Sequence, residues 1–276
     1  MSDPIVTVDW LANNLGDVVV LDASYVLMAD PATIRSDFLL EHIPGARLFE
    51  IDQIADHSSD LPHMLPTEAH FATAMAELGI DGSRPVVIYD RSANHFSAPR
   101  VWMTLKLFGV EASYVLNGGL QAWKAAGHAV ESGDPAKASV AAKDWTLDRS
   151  CVLSGADMAE YVKAGSETIL DARANNRFIG EAPEPRPGLT SGHMPGSSCV
   201  PFTGLTDADG NFLNPKALSE LFKGLATTNP IVSCGSGITA CVLALGLERI
   251  GVKARLYDGS WAEWGQGKLG PIATGA

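Results

Sequence analysis

Positive charge is what this chain has little of. Twenty Lys and Arg stand against 32 Asp and Glu, a formal charge of −12. So acidic a chain is a poor partner for nucleic acid or an anionic membrane surface, and an anionic substrate would need a local basic site working against the global field. Cysteine is sparse too: Cys151, Cys199, Cys234 and Cys241 all lie in the second half, without the C-x-x-C spacing of zinc sites. Their even number permits disulfides, but nothing else suggests secretion. The start, Met-Ser-Asp-Pro-Ile-Val, has no basic region or apolar stretch, and it is not an Arg-rich transit peptide. No apolar run approaches membrane-spanning length. A reducing cytoplasm is therefore the expected setting, where free thiols are usually metal ligands or reactive groups. What remains, 46% hydrophobic and 19% charged residues over a length of 276, is an ordinary globular composition with room for two modest domains.

The chain repeats itself in order. Residues 18–23 (VVVLDA) return as 168–173 (TILDAR), 41–46 (EHIPGA) as 192–197 (GHMPGS), 86–90 (VVIYD) as 231–234 (IVSC), and 117–123 (NGGLQAW) as 258–264 (DGSWAEW). Four matches in one order imply two copies of a domain. The small, polar, aperiodic stretch around 131–142 reads as a connector. The expected division is a domain over 1–132, a linker over 133–147 and a second domain over 148–276. Short β-branched runs (18–21, 86–89, 113–116, 168–170, 231–233, 253–257) alternate with helical patterns (67–78, 98–108, 215–223, 239–250). That alternation predicts an α/β fold, each copy a mostly parallel sheet with helices on both faces. Ligands of such folds sit at the carboxyl ends of strands. His42 and His193 recur at equivalent points and read as structural turn residues.

Cys234 falls at such a strand end, in Ile231-Val-Ser-Cys-Gly-Ser-Gly-Ile-Thr239. An apolar run ends in the thiol, Gly235 and Gly237 allow backbone N–H groups to turn inward, and the following helix start adds positive potential that favours a thiolate. This is how a chain prepares a nucleophilic sulfur. The first copy carries Asp90 at the same point, and a carboxylate cannot serve as a sulfur nucleophile. The first copy is therefore expected to keep the shape without the chemistry. Cys241, inside the next helix pattern, reads as a core cysteine.

From Asp9-Trp-Leu11 to the DGSWAEW segment, the chain resembles the rhodanese superfamily, specifically its two-domain sulfurtransferases. The loop Cys-Gly-Ser-Gly-Ile-Thr is similar to that of 3-mercaptopyruvate sulfurtransferases, which usually carry Val at the Ile238 position. Thiosulfate-using relatives instead carry a cationic Cys-Arg-Lys-Gly loop. The run from Arg177-Phe-Ile-Gly through Pro183-Glu-Pro-Arg-Pro-Gly188 to Gly192-His-Met-Pro-Gly196 matches the same subfamily. The resemblance implies tandem rhodanese-like domains, with Cys234 as the nucleophile. It implies that Arg177 and Arg186 hold the donor's carboxylate and carbonyl, as guanidinium forks suit. Salt bridges to Glu181 or Glu184 are the alternative reading for those arginines. Gly235 to Thr239, including Gly237 and Ile238, would cradle a persulfide. Asp52 and His63, in segments that also match, would join Ser236 in a Ser-His-Asp relay crossing the domain boundary. The implied donor is 3-mercaptopyruvate and the acceptor a small thiol, thioredoxin or cyanide, with no metal or organic cofactor. Other readings are thiosulfate as donor, a cysteine phosphatase, and a non-catalytic interaction module. The phosphatase reading lacks its phosphate-binding arginine, because Ala240 stands six residues after Cys234.

Overall fold

The computed structural model describes residues 3–28 and 30–275, so the outermost residues of the expected domains 1–132 and 148–276 lie outside the described part. Two compact units result, but they are not contiguous halves. Unit 1 gathers Met1–Asp56, Pro66–Leu147 and Ala208–Phe212, and unit 2 gathers His57–Leu65, Asp148–Asp207 and Leu213–Ala276. The segment 57–65 thus belongs to unit 2 although the expected first domain spans it. The expected linker, 133–147, is grouped with unit 1. Trp145 explains part of this: it is buried and meets Phe71 edge to face at 5.8 Å, while Leu147 donates its N–H to Glu68.

Unit 1 has five strands, β1 (Ile5–Val6), β2 (Val19–Asp22), β3 (Arg47–Leu48), β4 (Val86–Tyr89) and β5 (Ser113–Leu116). Their spatial order is β1-β5-β4-β2-β3, all pairs parallel. Every residue of β2 and β4 is buried, which requires cover on both faces of the sheet. Val18, Val20, Val87 and Tyr89 pack with Leu11, Phe38 and Trp123 on one face. The helix α5 (Ala98–Leu107) packs against β4 and β5.

Unit 2 repeats the plan. Its strands β6 (Val152–Leu153), β7 (Ile169–Asp171), β8 (Ser197–Cys199), β9 (Ile231–Ser233) and β10 (Arg255–Tyr257) lie in the order β6-β10-β9-β7-β8, again all parallel. The helix α10 (Ala240–Arg249) is buried over nearly all its length and packs on β9 and β10. The paired histidines do the same structural work in both units. The His42 ring stacks on Phe38 and bonds the Phe38 carbonyl at 2.9 Å; the His193 ring stacks on Phe178 and bonds its carbonyl at 2.9 Å.

Candidate active site

Strand β9 ends at Ser233, and the next residue, Cys234, is 1% exposed. Six residues, 234–239, carry the chain from there to the first turn of α10. Gly237 takes a φ of 78°, a conformation that favours glycine. One side chain holds the loop. Ser260, fully buried with a φ of 49°, donates its hydroxyl to the Tyr257 carbonyl at 2.9 Å. It accepts the N–H groups of Cys234 and Gly237, each at 3.1 Å. The Ser233 hydroxyl donates to the same oxygen at a longer 3.5 Å. The carbonyls of Cys234 and Gly235 accept from the N–H groups of Trp261 and Ala262 at 3.0 and 2.8 Å, at the start of the short helix α11 (Ser260–Trp264). The loop is stitched from outside. Among the described residues, the N–H groups of Gly235, Ser236, Ile238 and Thr239 make no hydrogen bond. Cys241 is fully buried in α10 and donates its thiol to the Gly237 carbonyl at 3.3 Å, a structural role.

A chain of charge runs up to this loop. Asp171 closes β7, and Arg173 forks onto it, Nε to Oδ1 at 3.1 Å and Nη2 to Oδ2 at 2.7 Å. Burial opposes the Arg173 charge, but Asp171 and Glu184 outweigh it and raise its pKa above the usual arginine value. Its guanidinium lies 4.1 Å over the Trp261 ring, a cation–π contact. Arg173 Nη1 donates to Glu184 at 2.8 Å, and Glu184 also accepts from Arg177. Arg177 Nη2 in turn lies 3.2 Å from where a side-chain carbon on Gly235 would be. Glycine at 235 therefore leaves the arginine room against the sulfur loop. Of the two carboxylates weighed as alternative partners, Glu184 is the one that binds Arg177.

Arg186 finds a different neighbour. It donates from Nη2 to His63 Nε2 at 2.8 Å. An arginine has no acceptor, so the imidazole must present a lone pair there and carry its proton on Nδ1. His63 is buried, with an unusual φ of 61°. Its segment is fixed on unit 2 by the Leu65 N–H, which donates to Asp258 Oδ2 at 2.8 Å. A surface cavity of about 380 Å³ opens beside Arg186, lined also by Pro62, Gly188, Ala262 and Lys268.

Of the three residues of the expected Ser-His-Asp relay, Ser236 and His63 belong to unit 2 and Asp52 to unit 1. Ser236 is buried, but its hydroxyl makes no hydrogen bond among the described residues, and the Arg186 donor occupies the acceptor nitrogen of His63. Asp52 belongs to unit 1, in the first turn of α3 (Ile51–Ile54), where it lines a small cavity with Ser24 and Tyr25. Sequence reasoning missed Ser260, Asp258 and Arg173. A signal for Ser260 and Asp258 was present in the recurrence of 117–123 at 258–264, and Arg173 closed another repeat. The other cysteines stay outside the site. Burial and the neighbouring Asp171 push the Cys199 thiol up to about 11, so it stays protonated, and all four cysteines are free.

Comparison with known proteins places the chain among relatives of one family. A rhodanese-like domain model matches residues 7–126 and again 154–266. The thiosulfate/3-mercaptopyruvate sulfurtransferase 1, mitochondrial, of Arabidopsis thaliana is 40% identical, over 95% of this chain and 76% of its own length. The 3-mercaptopyruvate sulfurtransferase of Escherichia coli is 39% identical over 93% of each chain. The crystal structure of SseA from Escherichia coli, a 3-mercaptopyruvate sulfotransferase, superimposes with a TM-score of 0.82 at 36% identity, covering 95% of this chain and all of that one. No described helix is long and apolar enough to cross a membrane.

Proposed function

The chain belongs to the family of proteins built from rhodanese-like domains, and from that premise we propose that it is a 3-mercaptopyruvate sulfurtransferase acting through Cys234. The observation that carries the reading is the loop 234–239: a cysteine sulfur at a strand end, a backbone pinned by Ser260, and four N–H groups with no bond among the described residues. Such a ring of donors suits a sulfur anion.

The donor's carboxylate and carbonyl engage Arg186 and Arg177. Their guanidinium donors match both groups, and they supply the local positive field that an acidic protein otherwise lacks. The Cys234 thiolate attacks the donor sulfur. The new S–S bond forms as the carbon–sulfur bond breaks, and its electron pair goes to carbon as the enolate of pyruvate. Arginine charge stabilises the developing oxyanion. The proton of the donor thiol ends on the enolate carbon, leaving pyruvate and a Cys234 persulfide anion. When Arg186 turns to the donor carboxylate, His63 Nε2 is released as a proton carrier, with the Ser236 hydroxyl available beside the nucleophile. The persulfide then gives its outer sulfur to a thiol, thioredoxin or cyanide, so the kinetics are ping-pong. Thiosulfate is a second donor on this reading, since a plant relative carries both donors in its name. A reducing compartment such as the cytoplasm suits a mechanism that needs a free thiol.

The test is the intact mass of the protein after incubation with 3-mercaptopyruvate and then cyanide. One added sulfur that cyanide removes, absent in Cys234→Ser, is the expected result. No adduct with 3-mercaptopyruvate, nor with thiosulfate in a parallel sample, would replace this reading with a non-catalytic interaction module.

A further inference from the structure

Arg177 stands against the sulfur loop, yet its charge is already engaged. Its Nε and Nη2 donate to Glu184 at 3.3 and 2.5 Å. The Glu184 side chain is 2% exposed and is shared with Arg173, itself paired with Asp171. In contact order Asp171, Arg173, Glu184 and Arg177 alternate in sign and sum to zero. Arg186 instead faces the neutral imidazole of His63. A donor arriving at the Cys234 loop therefore meets one guanidinium whose charge a buried carboxylate offsets and another facing no carboxylate in that contact.

We infer that Glu184 is a specificity-determining positioning residue, which holds Arg177 beside Gly235 and sets the charge the site offers, favouring a donor with one negative charge over one with two. The inference rests on Cys234 being the sulfur acceptor. Coulombic attraction scales with donor charge, so each unit of positive charge at the site helps thiosulfate twice as much as a monocarboxylate. Removing the Glu184 charge at nearly constant shape therefore shifts preference toward the dianion. Glu184→Gln keeps one oxygen for Arg177 and leaves Arg173 forked onto Asp171, so no buried cation is left without a partner.

The experiment measures kcat/KM for thiosulfate and for 3-mercaptopyruvate, with cyanide as acceptor, in the unaltered protein, Glu184→Gln and Glu184→Asp. Glu184→Gln should raise the thiosulfate-to-mercaptopyruvate ratio by about tenfold. Glu184→Asp, which keeps the charge, should hold the ratio near its original value even if both rates fall. An unchanged or lowered ratio in Glu184→Gln overturns the inference, and so does an equal shift in Glu184→Asp, which would mark a merely structural role. Inhibition of the unaltered protein gives a readout that does not depend on a variant folding: pyruvate should inhibit more tightly than sulfate, and the reverse order overturns the inference. An unaltered protein inactive with both donors would instead remove the sulfurtransferase reading, and this inference with it.

Discussion

The two strand-end loops answer one physical problem in opposite ways. In unit 1, β4 is followed by Asp90, whose own carboxylate collects the N–H groups of its loop. Oδ1 accepts from the Ser92 N–H and hydroxyl at 3.0 and 2.7 Å, and Oδ2 accepts from the N–H groups of Ser97 and Ala98 at 2.9 and 2.8 Å. In unit 2 the residue after β9 is Cys234, which carries no acceptor of that strength. Its loop is held from behind by Ser260, and four of its N–H groups have no partner among the described residues. The unit 1 loop shows that this turn can surround an anion. There the anion is a fixed side chain, so nothing else can be bound. The unit 2 loop leaves its donors for an anion that comes and goes, which is what a persulfide does.

The comparison breaks most visibly if the internal anion of unit 1 is removed. Asp90→Asn turns an amide group toward donors that need an acceptor, inside a site 1% exposed. Losing charged hydrogen bonds there should cost about 3 kcal/mol, read as a lower midpoint in denaturant unfolding. The persulfide yield at Cys234 under native conditions should not change. Gly119→Ala is next. Gly119 and Ser260 stand at matching points of the repeat, with φ of 56° and 49°. The Leu120 N–H reaches the Asp90 carbonyl at 3.1 Å, as the Trp261 N–H reaches Cys234. A side-chain carbon at 119 would lie 2.4 Å from the Asp90 carbonyl oxygen, so the loop must move; unit 2 holds a serine at the matching point. The expected loss is about 2 kcal/mol, measured in the same way.

Ser260→Ala sharpens the comparison from the other side. It strips the acceptor from two buried N–H groups while leaving Cys234 in place. A loop held less firmly should lower kcat about tenfold, with persulfide still forming. A kcat equal to that of the unaltered protein would show that the Trp261 and Ala262 contacts suffice.

Much of this is legible in the sequence. Buried β-branched runs marked β4, β5 and β9 at their observed bounds, because a strand covered on both faces reads as a continuous apolar run. The edge strand β8, Ser-Ser-Cys and half-buried, carries no such pattern and was missed, as were the two-residue strands β1, β3 and β6. Cys234 was visible because a glycine-flanked cysteine after a strand has a local signature. The pairing of Glu184 with an arginine was also open to the sequence, because the two lie close along the chain. The work of Ser260 was not, because it consists of hydrogen bonds to a loop more than twenty residues away. The placement of 57–65 in unit 2 is of the same kind. It depends on Asp258 and Arg186, more than a hundred residues away along the chain.

The smallest effect comes from a second pair of matching positions, the aspartates that close β2 and β7. Each accepts the N–H two residues on: Asp22 from Ser24 at 2.9 Å, Asp171 from Arg173 at 3.0 Å. Unit 2 then adds the Arg173 fork, whereas unit 1 has Ser24, whose hydroxyl makes no hydrogen bond, and Asp22 Oδ2 makes none of ordinary geometry. Arg91, 3.3 Å away, only partly compensates. Burial raises the Asp22 carboxyl above its ordinary 3.8, against the smaller pull of Ser24 and Arg91. The folded protein therefore holds the Asp22 proton more tightly than the unfolded chain does. Asp22 costs no stability below pH 3.8, and its cost grows as pH rises from there through the folded value. Asp22→Asn carries no charge at any pH, so its unfolding temperature should lack that decline. At neutral pH it should stand level with the unaltered protein or about 2 °C above it. If thermal unfolding across pH instead shows Asp22→Asn losing stability at neutral pH, the Arg91 pair outweighs burial, and the two aspartates are equivalent after all.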